Sequence, residues 1–279
     1  MGDTCCDPNK GTGKFVEYLK QRLPGVYIKS ISTAESEGDD QKSSFMGSVN
    51  GNIATVCEQL QGDKELQGGF NAIGFSQGGL FLRGVVERCT TQVRQLVTFG
   101  SPHAGTADIP NCKDGGFWCG VARRIARSSA YGDYAQHNII QAQYYKDIHQ
   151  LDVYMAKNVF LPDINNEHAH KLSEYAERLV SLERLVLVQF ANDTMIVPKE
   201  TAWFGFYQGE KVVPLRQQAM YREDWLGLKL LDTAGRIDFL TAPGEHMQFT
   251  LDYFERHILG YLNATHPHPL VQQVMSNAV

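Results

Sequence analysis

An α/β fold, in which a mostly parallel sheet is covered on both faces by helices, is what this sequence predicts, and three observations carry the prediction. Short apolar runs of strand length recur along the chain, segments with helical spacing of apolar residues separate them, and the stretch "NAIGFSQGGLFLRGVVERC" passes from one to the other through a glycine-flanked serine. Strands separated by helices pair in parallel through crossovers, which buries both faces of the sheet. Length and composition agree: with 279 residues, 43% of them hydrophobic, the chain can bury one large core, and no linker-like stretch divides it.

The elements follow in order. "GVYIKSI" (25–31) reads as the first strand. "NIATVCEQL" then places Ile53, Val56, Cys57 and Leu60 at helical spacing, and "FNAIGF" is the next strand. The helix after the serine buries Leu82, Val85, Val86 and Cys89. "RQLVTFG", "RLVLVQF" (184–190) and "RIDFLTA" (236–242) supply three further strands. Between Thr106 and Leu182 the rhythm turns mostly helical, which predicts a cap inserted at about 107–182 in a single domain spanning 1–279, with a tail at 264–279.

Charge and cysteines narrow the function. A formal net charge of −5, with Lys and Arg scattered apart from "VARRIAR", leaves no basic surface for nucleic acid. No apolar run reaches the ~18 residues of a membrane helix, so the chain reads as soluble. The six cysteines lack the CxxC spacing of a zinc site, and neither a metal nor a cofactor is expected. They are free thiols of a reducing compartment or disulfides of an oxidising one, and local spacing favours Cys112 with Cys119. The sequons "NDT" at Asn192 and "NAT" at Asn263 lean toward the secretory route.

"GFSQG" is a GxSxG pentapeptide, and its setting gives it meaning. A nucleophile elbow needs a strand, a strained turn and a helix, with small residues on either side of the serine. Ala72–Phe75 supplies the strand and Gly79 onward the helix, so Ser76 would stand off the sheet at a helix N-terminus, whose amides favour a developing oxyanion. A serine hydroxyl is a poor nucleophile unaided. A carboxylate and then a histidine must follow, in that order. Among the nine histidines, His246 in "APGEHMQF" lies in a loop directly after the last strand, whereas His257 falls on the final helix and His266 and His268 in the tail. His137, His149, His168 and His170 read as solvated cap residues. His103 in "GSPHAG" precedes the acid and reads as structural or pocket-lining. The acid is Asp193 in "VQFANDTMIVP", at the carboxyl end of a strand, where open α/β sheets display their functional groups.

Through "MGDTCC", "TVCEQL", "NAIGFSQGG", "FLRGVVERC", "DINNE", "VQFANDTMIVP", "WFGFY", "LGLK", "DTAGRIDFL" and "GEHMQ", nearly the whole chain resembles the palmitoyl-protein thioesterases of the lysosomal type 1 kind. The resemblance implies an α/β-hydrolase fold and hydrolysis of palmitoyl thioesters on the cysteines of proteins, with Ser76 as nucleophile, Asp193 as orienting acid and His246 as base. It implies oxyanion donors from the backbone of Gln77 and from Met1, and the disulfides Cys5–Cys6, Cys57–Cys89 and Cys112–Cys119. Glycosylation at Asn192 is implied too. S-palmitoylated proteins are the implied partners, the chain is expected to act as a monomer, and the lysosome, vacuole or exterior is the expected destination.

A triad of this kind does not itself separate thioesters from oxygen esters. Selectivity for long chains must come from an apolar groove, in which each buried methylene is worth about 0.8 kcal/mol. Ile196, Val197, Trp203, Phe204 and Phe206 are candidates for its walls, although "WFGFY" reads equally well as core. Two alternatives remain: a carboxyl-ester lipase with the same triad, and a noncatalytic binding protein of the same fold. Relatives carry a strand ending in His-Gly just before the segment equivalent to Met1, which this sequence lacks. The expectation is that the sequence begins inside a longer protein, with that strand and a signal peptide upstream.

Overall fold

The computed structural model describes residues 11–33, 37–108 and 129–263. Its centre is a four-stranded sheet of β1 (Phe70–Phe75), β2 (Val93–Phe99), β3 (Arg184–Phe190) and β6 (Ile237–Ala242), in the order β1-β2-β3-β6 and parallel throughout. A short antiparallel hairpin, β4 (Phe206–Gln208) and β5 (Lys211–Val213), lies outside it. The parallel sheet, its flanking helices and the strand–serine–helix turn after β1 are consistent with the expected α/β-hydrolase fold.

Alternation along the strands divides the core in two. Leu96 of β2 and Leu185 and Leu187 of β3 face one cluster, with α3 (Val49–Gly62) and α4 (Gln77–Arg88). Val97, Phe99, Val186, Val188 and Phe190 face another, with α1 (Gly11–Arg22) and the helix Leu251–His257. Every residue of β3 is buried, as befits a central parallel strand covered on both sides. A shorter helix, α2 (Glu37–Ser43), precedes α3, whose first turn is capped by the Ser48 side chain accepting from Gly51 N–H. Between β2 and β3 the described residues from 129 onward form helical segments, including Asp133–Asn138, Ile140–Tyr144, Leu151–Lys157 and Ser173–Val180.

One expected strand does not form. Residues 25–31 run without ladder partners among the described residues, and Val26 and Tyr27 remain 40% and 46% exposed. A strand needs a neighbour, and this segment instead bonds to the far end of α3. Tyr27 OH donates to Asp63 Oδ2 at 2.8 Å, and Gln59 Nε2 donates to the Ser32 carbonyl at 3.1 Å. The cysteines Cys5, Cys6, Cys112 and Cys119 lie outside the described residues. Cys57 and Cys89 are disulfide-bonded, with Cα atoms 5.6 Å apart, and tie α3 to the end of α4.

Helix α4 is buried along almost its whole length and carries an ion pair with no exposure at either partner. Arg83 Nη1 donates to Glu87 Oε1 at 2.8 Å and to the Ile164 carbonyl at 3.1 Å, and Nη2 donates to Asn165 Oδ1 at 2.7 Å and the His103 carbonyl at 3.0 Å. Desolvation pushes the Glu87 carboxyl up to about 7, against the opposing pull of the Arg83 charge.

Two outcomes follow. Replacing Cys57 and Cys89 together by Ser should lower the free energy of unfolding, measured by urea titration without reductant, by roughly 3–4 kcal/mol, the loop-closure value for a 32-residue separation. A carboxyl whose pKa is higher folded than unfolded contributes most below its ordinary value of 4.5, and that contribution is lost as pH rises to about 7. The Glu87→Gln variant should therefore show a flatter dependence of stability on pH across that window than the parent protein.

Candidate active site

The site is assembled where the chain turns from β1 into α4. Ser76 has φ 51° and ψ −128°, a left-handed conformation costing of order 1–3 kcal/mol in a non-glycine residue. It is held by its own N–H, which donates to the Phe99 carbonyl at 2.7 Å and so prolongs the β1–β2 pairing by one residue. The turn is tight enough to exclude side chains nearby. A Cβ on Gly74 would lie 2.4 Å from the Gly79 Cα, and one on Gly79 would lie 2.0 Å from Ser101 Oγ. Ser76 occupies the N-cap position of α4 yet makes no capping bond with its side chain. Its Oγ faces His246 Nε2 at 2.9 Å instead.

Asp193 and His246 reach this point through two adjacent loops. Beyond the β3–β6 pairing, Ala191 N–H donates to the Ala242 carbonyl at 2.9 Å and Asn192 N–H to the Gly244 carbonyl at 3.0 Å, so the loops remain joined past the strand ends. Asp193 Oδ2 then lies 2.6 Å from His246 Nδ1, while Oδ1 accepts from the N–H groups of Met195 and Ile196 at 2.9 and 3.0 Å. The histidine and aspartate side chains are 7% and 2% exposed. An Nδ1–H given to Asp193 leaves the Nε2 lone pair directed at the serine hydroxyl, as a base for that proton requires. The Phe190 ring meets the imidazole edge to face at 5.9 Å. Gly100, at φ 57°, leaves room where a Cβ would come within 3.2 Å of His246 Cε1. The sequence reading placed Phe190 and Gly100 only at strand ends, because nothing in a strand-end Phe or Gly marks it as a neighbour of a distant histidine.

The other sequence-derived residues are placed as follows. Gln77 opens α4, so its N–H belongs to the first turn, which has no intrahelical acceptor, at the positive end of the helix dipole. Met1 lies outside the described residues. His103 is fully buried, with Nε2 3.0 Å from Thr98 Oγ1 and its ring stacked on Phe204 at 4.7 Å. Burial, aided by the Arg83 charge, holds it well below the usual imidazole range, so it is a neutral structural residue. His137, His149, His168 and His170 are exposed.

Of the groove candidates, Phe204 is a core residue at 1% exposure, and Trp203 donates from Nε1 to the Leu187 carbonyl at 2.9 Å. Phe206 is buried with Lys146 Nζ 5.2 Å from its ring centre. Ile196 is buried and Val197 half-buried, three and four residues after Asp193. None of these five lines the small apolar void of about 10 Å³, room for roughly one water, that adjoins Gln77 and is bounded by Val49, Leu80, Phe81, Ile140, Tyr144 and Phe160. Asn192 is exposed beside Asp193, and Asn263 is half-buried.

Comparison with known proteins points to one family. The sequence profile of a family described as "Palmitoyl protein thioesterase" matches residues 1–246. Palmitoyl-protein thioesterase 1 of Caenorhabditis elegans is 38% identical over 252 residues, covering 89% of this chain and 84% of the relative. Palmitoyl-protein thioesterase 3 of Dictyostelium discoideum is 34% identical over 254 residues, covering 88% and 85%. Lysosomal thioesterase PPT2 of Bos taurus is 30% identical over 235 residues, covering 80% and 72%.

The elbow geometry makes one contrast measurable by urea unfolding. Gly74→Ala forces backbone apart at a 2.4 Å contact and should destabilise the protein by about 2–3 kcal/mol. Gly62→Ala, at the end of α3 with nothing within 4 Å, should instead stabilise it by about 0.5–1 kcal/mol.

Proposed function

The chain belongs to the palmitoyl-protein thioesterase family, and from that premise we propose that Ser76, Asp193 and His246 carry out its reaction, the hydrolysis of palmitoyl thioesters on the cysteines of proteins. The observation that carries this reading is the position of His246, with one ring nitrogen 2.9 Å from Ser76 Oγ and the other 2.6 Å from Asp193.

His246 Nε2 takes the hydroxyl proton as Ser76 Oγ attacks the thioester carbonyl, and Asp193 holds the tautomer and stabilises the imidazolium that forms. The carbonyl oxygen gains negative charge at the N-terminus of α4, where the Gln77 N–H donates to it. Collapse of the tetrahedral species expels the cysteine sulfur. A thiol with an ordinary pKa of about 8.5 leaves far more readily than an alkoxide, so His246 need only pass the serine proton to the departing sulfur, which returns the imidazole to its neutral form. Water, deprotonated by His246, then attacks the palmitoyl-serine ester, and fatty acid departs as Ser76 recovers its proton.

The acyl chain needs apolar cover within reach of Ser76. Ile196 and Val197, on the side of Asp193, are the candidates for its first apolar contacts, since the void beside Gln77 has room for no more than a water-sized group. The helical run between β2 and β3 serves as the cap over this surface. Relatives named as lysosomal thioesterases, the Cys57–Cys89 disulfide and the exposed Asn192 sequon support residence in the lysosome with a glycan at Asn192.

Turnover of palmitoyl-CoA tests the proposal. Ser76→Ala should reduce kcat by at least about 1,000-fold and Asp193→Asn by about 10,000-fold, with both proteins folded by circular dichroism. Undiminished turnover by Ser76→Ala would point to another nucleophile, and faster hydrolysis of a palmitoyl oxygen ester by the parent protein would point to an esterase.

A further inference from the structure

A helix N-terminus can serve an oxyanion only if its first turn is rigid, and here the usual means of holding it is in use elsewhere. Ser76 stands at the N-cap of α4, but its side chain is bonded to His246 and caps nothing. The first residue of the helix, Gln77, is held in another way. Its carboxamide oxygen accepts from Gln141 Nε2 and from the Tyr144 hydroxyl, both at 3.1 Å, and its amide nitrogen donates to the Ser44 carbonyl at 2.8 Å.

We propose that Gln141 and Tyr144 are positioning residues for thioester hydrolysis, which grip the Gln77 side chain so that its backbone N–H is aimed at the oxyanion. The proposal rests on the reading of Ser76 as nucleophile. Several features support it. Gln77 is 4% exposed, and both lone pairs of its oxygen are occupied, so the side chain has no acceptor left for substrate and acts as a tether. The segment that carries the grip is itself fastened. Ile140 N–H donates to the Phe45 carbonyl, Gly47 N–H to the Asn138 carbonyl, and Val49 N–H to Gln143 Oε1, at 3.1, 3.1 and 2.9 Å. Gln141 Oε1 is buried and has no partner, a cost to folding that an apolar residue at this position would avoid. Burial also raises the Tyr144 hydroxyl above the usual phenol range, so it remains a donor at any pH at which the protein works.

The decisive variant is Tyr144→Phe, which removes a single oxygen. Gln141→Leu is the second, and Tyr154→Phe is the control, because its equally buried hydroxyl bonds to Glu167 instead. With palmitoyl-CoA as substrate, Tyr144→Phe and Gln141→Leu should each lower kcat by about 10-fold and leave KM within about twofold, the signature of a misplaced transition-state contact. Affinity for a long-chain alkyl trifluoromethyl ketone, which forms an oxyanion on addition of serine, should fall by the same factor. Tyr154→Phe should leave both quantities unchanged. Unaltered kcat in Tyr144→Phe, a rise in KM alone, or an equal loss of kcat in Tyr154→Phe would each overturn the proposal. Activity retained by Ser76→Ala would remove the premise and overturn both readings, whereas inactive Ser76→Ala beside fully active Tyr144→Phe would overturn this one alone.

Discussion

The hydrogen bond from Ser76 N–H to the Phe99 carbonyl, 2.7 Å long and one residue past the last pair of the β1–β2 ladder, is the constraint on which the site depends. It keeps the serine over the sheet edge while the chain reverses into α4, and so holds a left-handed φ that a free non-glycine residue would avoid. The cost of that conformation is offset by what it anchors: a helix buried nearly throughout, packed against β1 and β2 on one side and α3 on the other. Small residues at Gly74 and Gly79 are the steric counterpart of the same constraint.

The rest of the site answers to that fixed hydroxyl. A parallel sheet ends all its strands on one side, so the loops after β3 and β6 arrive beside the elbow without further design, and two backbone hydrogen bonds beyond the strand ends keep them together. Beneath them Phe75, Phe99, Phe190 and Phe249 pack ring on ring, with neighbouring centroids 4.9 to 6.4 Å apart, which fixes the loop that carries His246. The opposite face of the sheet performs a different task. There the buried Arg83 joins α4 to the segment after β2 and to Ile164 and Asn165, so the helix that presents the nucleophile is braced from its middle as well as its start.

Much of this was legible in the sequence where local pattern and global fold ask for the same thing. Apolar runs of six or seven residues at 70–75, 93–99, 184–190 and 237–242 are strands because each has neighbours that cover both its faces. Ser76, Asp193 and His246 could be selected because each follows such a run in the order that this sheet imposes. Legibility failed where pairing, and not pattern, decides the outcome. Residues 25–31 alternate like a strand but have no strand beside them among the described residues. "WFGFY" conceals the start of a hairpin that turns at Gly209 with φ 60°, and its aromatic residues carry no mark of which surface they face. Gln141 and Tyr144 had a signal that went unused: polar groups within the apolar run "NIIQAQYY" must find partners once buried.

A serine is chemically distinguishable from its neighbours only if it is activated, and covalent labelling reads that difference directly. An alkyl fluorophosphonate added to the native protein, followed by proteolysis and mass spectrometry, should place a single phosphonyl group on the peptide containing Ser76 and leave the urea-unfolded chain unmodified. A label on a different residue, or native protein that takes up none, would contradict the identification of Ser76 as the nucleophile.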